Sequence, residues 1–592
     1  VKAIDQAKLR KAIKRLGRQE VLNSNEVERI HKLPRRVWLS DPNLDEFVEM
    51  ATYYLKTPEG TQRLKPVQAK ALQDLHDMGG LYGPIPVGAG KTLISFLAPT
   101  VVESERPLLV VPAKLKEKTR REFKALAKHW KQHPRLRIVS YEKLSRINGT
   151  KLLQSLKPDL FIFDESHRLK NTSAAVTRKI AQWMAAFPNT KVLAMTGTST
   201  KRSMLDYAHI LRWTLPNCFP LPRNVEELES WACAVDVIKP FEKRTQTAPG
   251  ALFSFCTTAE RLQGQDGVRS AIRRRIHDTP GVVSLESVQL DASLNISVDL
   301  ELGYGQEVRE LAKKLSEGYL PNGDIYLEEG KEAQSLQTKW RIMRTLTSGF
   351  WYDWDPRPPP EWMDLRAAWR KTVRNILLRN VPGLESEALI ARAAAHGKIN
   401  RAVEDLYKEW RAERSKHKWD TVPVWVDDCI LHRIAKWSKE HTGLIWVSEV
   451  ALGQRLEKDL GLPYYHQMGK DRRGRFVEDA NPRDGSIVVS VQANGEGRNL
   501  QAWNDNLVIS PPPTGTVWEQ LLGRTHREGQ RADEVWVDVV VGCAVEWRCW
   551  QQALHDSRFH ETFEGEKRLN LATIDYLFDK IPFDDDDDEG LW

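Results

Sequence analysis

The sequence predicts an α/β protein with two parallel-sheet lobes and large, mainly helical insertions between them. Two sets of short apolar runs carry that reading. In the first, Leu108-Leu109-Val110-Val111, Leu160-Phe161-Ile162-Phe163 and Val192-Leu193-Ala194-Met195 each stop at Pro, Asp or Thr-Gly. In the second, Leu444-Ile445-Trp446-Val447, Ser486-Ile487-Val488-Val489-Ser490, Asn506-Leu507-Val508-Ile509 and the run from Val535 to Val541 repeat the pattern. Short runs that are largely apolar suit strands covered on both faces. The length points the same way: 592 residues are too many for one hydrophobic core.

Taken in order, residues 1–50 read as a basic helical extension. Lys8, Arg10, Lys11, Lys14, Arg15 and Arg18 alternate there with Leu9, Ile13 and Leu16 at helical spacing. Residues 51–215 form the first lobe. Residues 216–420 are far longer than a loop and must be structured insertions. They are rich in Arg and Trp, and Leu365, Ala368, Trp369, Val373, Ile376 and Leu377 recur at helical spacing. The prolines of Pro356-Arg357-Pro358-Pro359-Pro360 force extended backbone, so that run marks a linker or turn. Residues 421–560 form the second lobe, and 561–592 a C-terminal segment with an acidic tail at 584–589. No repeat of fixed period is present.

Composition excludes several classes. With 41% hydrophobic and 28% charged residues, the chain reads as globular and too charged for a membrane protein. No apolar run approaches the roughly 20 residues of a membrane helix. The start, Val1-Lys2-Ala3-Ile4-Asp5, lacks the apolar stretch of a signal peptide. The 6 cysteines include no C-x-x-C pair, so the thiols read as reduced and mostly buried and no zinc is expected. The expected location is cytoplasmic. The formal net charge is +8 although the tail concentrates negative charge, and a basic body points to a polyanionic partner. Most of the 21 tryptophans read as core or interface residues.

Gly88-Ala89-Gly90-Lys91-Thr92 follows an apolar, proline-bearing segment and precedes the helical run Leu93-Ile94-Ser95-Phe96-Leu97. Glycines let backbone N–H groups turn toward an anion, and the helix N-terminus adds positive potential. Lys91 suits the β- and γ-phosphates of a nucleotide and the Thr92 hydroxyl suits Mg²⁺. The strict phosphate-loop pattern has Gly where Ile85 stands. Asp164-Glu165-Ser166-His167 ends an apolar run, which gives Asp164 the place of a Mg²⁺ ligand and Glu165 that of a group that orients or deprotonates water. Thr196, Gly197 and Thr198 end the next run, where hydroxyls can couple the Asp164-Glu165 loop to bound nucleic acid. In Leu64-Lys65-Pro66-Val67-Gln68, the Gln68 amide can both donate to and accept from an adenine edge.

Near the other end, Gln520 to Gln530 holds Arg524 and Arg527, three apart and on one face if the segment is helical. Forked, always-charged guanidinium groups suit a γ-phosphate that gains charge during transfer. The two halves together predict ATP hydrolysed between two lobes.

The ordered set of these segments, with Val110-Val111-Pro112 and Asn494-Gly495-Glu496-Gly497-Arg498-Asn499-Leu500, resembles the superfamily-two helicases. The ending Gly523-Arg524-Thr525-His526-Arg527-Glu528-Gly529-Gln530 resembles the Swi/Snf-type translocases, in a compact form like bacterial or phage members. DEAD-box RNA helicases usually end that motif with Arg rather than Gln. The resemblance implies two RecA-like lobes, ATP and Mg²⁺ as cofactors, and a motor that tracks double-stranded DNA. It further implies phosphate contacts by Ser140, Lys143, Arg168 and Lys170, and by Asn494, Gly495 and Asn499, which either contact phosphates or couple to ATP. Two departures stand out: Thr-Gly-Thr-Ser replaces Thr-Gly-Thr-Pro, and Ile85 replaces an acidic residue common there. Other tracks stay open at this point: RNA, branched DNA, or a protein bound to DNA. So do strand unwinding and a nucleic-acid-binding scaffold with a vestigial ATPase.

Overall fold

Buried apolar runs build the sheets. The computed structural model describes residues 20–580 apart from 87, 198–202, 237–245, 286–291, 324–331, 380, 382, 385, 417 and 565–566. The chain divides into two compact units, 1–288 with 558–566 and 289–557 with 567–592.

The first unit has a five-stranded sheet of β1 (Gly80–Pro84), β2 (Pro107–Val111), β3 (Arg137–Ser140), β4 (Leu160–Phe163) and β5 (Lys191–Thr196), in the order β1-β5-β4-β2-β3. Every pairing is parallel. Alternate residues of one strand feed opposite cores. Leu108, Val110, Phe161 and Phe163 join Ile180, Trp183 and Leu211 on one face. Leu109, Val111, Leu160 and Ile162 join Leu72, Leu75, Ile94 and Phe96 on the other. This double burial is why the strands read as unbroken apolar runs.

The second unit's strands are β6 (Ser293–Leu300), β7 (Phe350–Trp354), β8 (Thr421–Trp425), β9 (Gly443–Val447), β10 (Tyr464–Tyr465), β11 (Ile487–Ser490), β12 (Asp505–Ile509), β13 (Glu534–Val541) and β14 (Thr573–Tyr576). Seven form a second sheet, in the order β10-β11-β9-β12-β13-β6-β14. All its pairings are parallel too. The α/β class and the two parallel-sheet, RecA-like lobes therefore stand. β7 and β8 form a separate antiparallel pair. It carries helices Pro360–Leu378, Glu387–Ala395 and Arg401–Lys416, whose own core holds Trp362, Trp369 and Trp410. The Arg366 guanidinium lies over the rings of Trp354 and Trp362, 5.1 and 5.5 Å from their centroids.

The expected domain limits differ from this division. Within 216–420 the chain divides at Val288, and β6 enters the second sheet between β13 and β14. Ser293–Leu300 alternates polar and apolar residues, so it lacked the continuous run that marked the other strands. Within residues 20–50, Val21, Val27 and Ile30 join one core of the first unit and Trp38 and Val48 the other. The segment after 561 returns to supply β14. The basic run at 8–18 and the tail at 584–589 lie outside the described residues. Among the described residues no helix is long and apolar enough to cross a membrane, and no three His, Cys, Asp or Glu side chains gather to hold a metal. None of the 6 cysteines is in a disulfide; Cys218, Cys543 and Cys549 are buried, and Cys233, Cys256 and Cys429 half-buried.

Candidate nucleotide site

Three neighbouring strands of the first unit end at the chemistry. β1 runs into the loop before helix Lys91–Val101, β4 into Asp164, and β5 ends at Thr196. Ligands of open parallel sheets sit at such carboxyl ends. Gly88 and Gly90 take φ of 99° and 83°, backbone that only glycine adopts freely. Gly90 is also crowded: a Cβ there would lie 2.2 Å from Gln68 Nε2. Ile85 keeps a negative φ and is wholly buried, so this position requires no glycine. Its carbonyl accepts from Lys91 Nζ at 2.9 Å, and that of Pro86 at 3.4 Å. The loop therefore lodges the lysine ammonium in its own hollow, where an anion's oxygens can exchange with the carbonyls. Thr92, half-buried, stands on the first turn of the helix, with Ala89 just before it.

Gln68 is buried, and its amide is partly committed. Oε1 accepts from Lys65 N at 2.8 Å, and Nε2 donates to the Gly90 carbonyl at 3.2 Å. One donor and one acceptor position remain. Gln68 thus ties the start of helix Pro66–Met78 to the phosphate loop.

Burial, with the neighbouring Glu165 charge, pushes the Asp164 carboxyl up to about 7, against the opposing pull of Lys91. The ammonium charges of Lys91 and Lys118 are outweighed at Asp164 by burial and by the Glu165 and Glu122 charges, which leaves the donor set short of positive charge. Thr92 and Asp164 accordingly fit Mg²⁺, which would supply charge neutralisation for the transferred phosphoryl group. Glu165 is buried and stands at φ 56°, a left-handed conformation unusual for a non-glycine residue. His167 Nδ1 lies 3.4 Å from Glu165 Oε2 and 3.2 Å from Thr196 Oγ1. The Tyr141 hydroxyl donates to the Asp164 carbonyl at 2.8 Å. His167 and Tyr141 were visible in the sequence only as members of longer segments. Their roles depend on adjacency across strands that sequence spacing does not show. Gly197 is half-buried, and Thr198 lies outside the described residues.

In the second unit, helix Gly515–Thr525 ends before Arg527, so no shared helical face pairs the two arginines. They converge differently. Arg524 Nη1 donates to the Arg498 carbonyl at 3.0 Å and its Nε to the Gln520 carbonyl at 2.6 Å. Arg527 Nη1 reaches the same Arg498 carbonyl at 3.2 Å and Asn499 Oδ1 at 2.7 Å. Arg524 is 1% exposed, whereas Arg527 is half-buried. Arg498, itself wholly buried, pairs with Glu478 at 3.1 Å and donates to the Met468 carbonyl. Gln530 fastens the following turn: its Nε2 donates to Trp503 and Thr525 carbonyls, and its Oε1 accepts from Arg531 and Ala532 N–H groups.

The residues expected on nucleic acid divide by exposure. Lys143 and Asn499 are exposed, and Arg168 and Lys170 half-exposed, with Arg168 3.5 Å from Glu142. Ser140 is buried, and its Oγ accepts from Lys143 N as the cap of helix Tyr141–Ser145. Asn494 is wholly buried and donates to the Tyr465 carbonyl at 2.8 Å; Gly495 is buried beside it. Ser140 Oγ thus caps a helix and Asn494 Nδ2 ties two segments of the fold, while Asn494 Oδ1 is buried without a hydrogen-bond partner among the described residues.

No curated protein matches the chain. Residues 61–201 match the family model described as the type III restriction enzyme, res subunit. The matched stretch runs from just before Gln68 through Gly88–Thr92 and Asp164–His167 to Gly197, the segments gathered at the strand ends. Residues 61–201 are therefore similar to a superfamily-two helicase-like ATPase domain, and the coarse activity that follows is that of an ATP-dependent, helicase-like motor on nucleic acid.

Proposed function

We propose that the chain is a Swi/Snf-type motor that translocates on double-stranded DNA, with ATP turnover stimulated by that DNA. One observation supports the reading most: His167 touches both Glu165 and Thr196, so the hydrolytic carboxylate and the segment expected to sense nucleic acid share one side chain. In this reading Lys91 neutralises the β- and γ-phosphates, and the loop of Gly88, Ala89 and Gly90 cradles them. Gln68 meets the adenine edge. Glu165 orients the attacking water. Arg524 holds the Arg498 carbonyl in place, and Arg527 answers the charge that grows on the γ-phosphate. Lys143, Arg168, Lys170 and Asn499 contact the DNA backbone. The ending at Gln530 supports a duplex track, and such a motor can remodel DNA-bound proteins or branched DNA in the cytoplasm of a bacterial or phage-infected cell.

The test is ATP turnover of the full chain with duplex, single-stranded and forked DNA and with RNA at one salt concentration. Stimulation greatest with duplex supports the proposal. Turnover indifferent to saturating duplex refutes it, and greatest stimulation by RNA assigns a different track.

A further inference from the structure

β3 is an outer strand of the first unit's sheet, hydrogen-bonded to β2 alone among the described strands. Helices Lys116–Leu126 and Gly149–Leu156 flank it. Phe123 and Leu126 pack against the core on one face of the sheet, and Leu152 and Leu156 against the core on the other. The sheet edge therefore lies at the bottom of an open groove of about 680 Å³ walled by both helices. A second hollow of about 230 Å³ continues past Arg137 toward Arg106 and Arg135.

The groove has two chemistries. Its floor is apolar and half-buried, formed by Leu136, Ile138, Leu152 and Leu156 with Phe123. Its rim is cationic: Arg120, Arg121, Lys124 and Arg137 are all exposed. Glu117 is the only carboxylate among the described lining residues. Adjacent Lys116 feels that excess, since burial and then the charges of Arg120 and Lys143 push its ammonium down.

An unpaired strand edge is a template for another strand, and proteins usually blunt it with proline, charge or cover. β3 has no proline, and Arg137 is its one charged residue. Its 4 residues span about 13 Å, enough for a short added strand. A phosphate backbone gains nothing from an apolar floor, whereas the apolar side chains of a peptide are stabilised by leaving water there. Alternation along an added strand sends one set of side chains to the apolar wall of Leu152 and Leu156 and the other to the cationic wall of Arg120 and Lys124 on helix Lys116–Leu126.

We propose that this groove receives an extended segment of a partner protein, with alternating acidic and apolar residues, added to β3 as a further strand of the sheet. Lys143, which the motor reading places on DNA, also lines this groove, but the rim and floor residues used here lie outside both that contact and the nucleotide site.

The test uses the full chain and a fluorescein-labelled octapeptide that alternates Glu and Val, followed by anisotropy. The expected result is saturable binding, weakened about tenfold or more by Arg120→Glu, Lys124→Glu or Arg137→Glu, with ATP turnover unchanged. The same peptide N-methylated at alternate residues keeps its charge and loses strand pairing, and should bind at least tenfold more weakly. Equal binding of the N-methylated peptide overturns the added strand. Displacement of the peptide by duplex DNA, together with loss of DNA binding in the rim variants, reassigns the groove to nucleic acid. A concentration-dependent dimer abolished by Arg137→Glu, with no peptide binding, reassigns it to a second copy of the chain.

Discussion

Arg524 and Arg527 donate to one acceptor, the Arg498 carbonyl, at 3.0 and 3.2 Å. The shared acceptor conceals a difference in kind. Arg524 is enclosed and also holds the Gln520 carbonyl, while Arg527 adds a bond to exposed Asn499. Arg524→Ala should therefore lower unfolding stability by about 1–3 kcal/mol, because the Gln520 carbonyl loses its charged donor and the Arg498 carbonyl one of its two. Arg527→Ala should leave the denaturation midpoint unchanged and cut ATP turnover by about 10³ or more. Chemical denaturation and steady-state turnover on both variants check the distinction. Equal loss of stability in the two would remove it.

Glu165→Gln should bind ATP and fail to hydrolyse it, since the amide keeps the shape of the side chain and loses its basicity. Lys91→Ala should lose nucleotide affinity as well as turnover. Fluorescent-nucleotide titration beside a phosphate-release assay separates the two, and residual wild-type turnover in Glu165→Gln would withdraw its assigned role.

Gly90→Ala should weaken nucleotide binding about tenfold or more. Alanine at φ 83° costs roughly 1–2 kcal/mol in backbone strain alone, and its Cβ drives Gln68 out of contact. Gln68→Ala in the same chain relieves the contact but not the φ, and it removes the adenine contact proposed for Gln68, so the double variant should recover affinity only in part. Full recovery would show that crowding alone mattered.

His167→Ala should depress DNA-stimulated turnover more than basal turnover, because it cuts the link between Glu165 and Thr196 and leaves both in place. The ratio of rates with and without duplex is the readout. An unchanged ratio would make His167 a packing residue.

Lys143→Ala should reduce the slope of log affinity for DNA against log salt by about one, the release of one counterion. Asn494→Ala should lower stability and leave that slope as it was, since Asn494 donates to the Tyr465 carbonyl inside the fold. A slope altered equally by both would return Asn494 to the nucleic-acid surface.

What the sequence determined by itself is local. Strands covered on both faces must be apolar throughout, so β2, β4, β9 and β12 were legible as runs. Gly88 and Gly90 were legible because left-handed backbone before a helix demands them. β6, whose residues alternate, and β14, which returns from beyond a long helix, were not legible, because membership of a sheet is settled by distant partners. Tertiary structure alone decided which polar side chains the fold consumes. Asn494 and Ser140 sit in motif-like segments beside Asn499 and Lys143, yet the first pair is buried and the second exposed. The same holds for the arginines: their spacing suggested a helical face, but the helix stops at Thr525 and a carbonyl 26 and 29 residues away gathers them. Composition and spacing constrain a residue's own backbone. Its burial and its partner depend on chain brought in from elsewhere, which only the folded packing supplies.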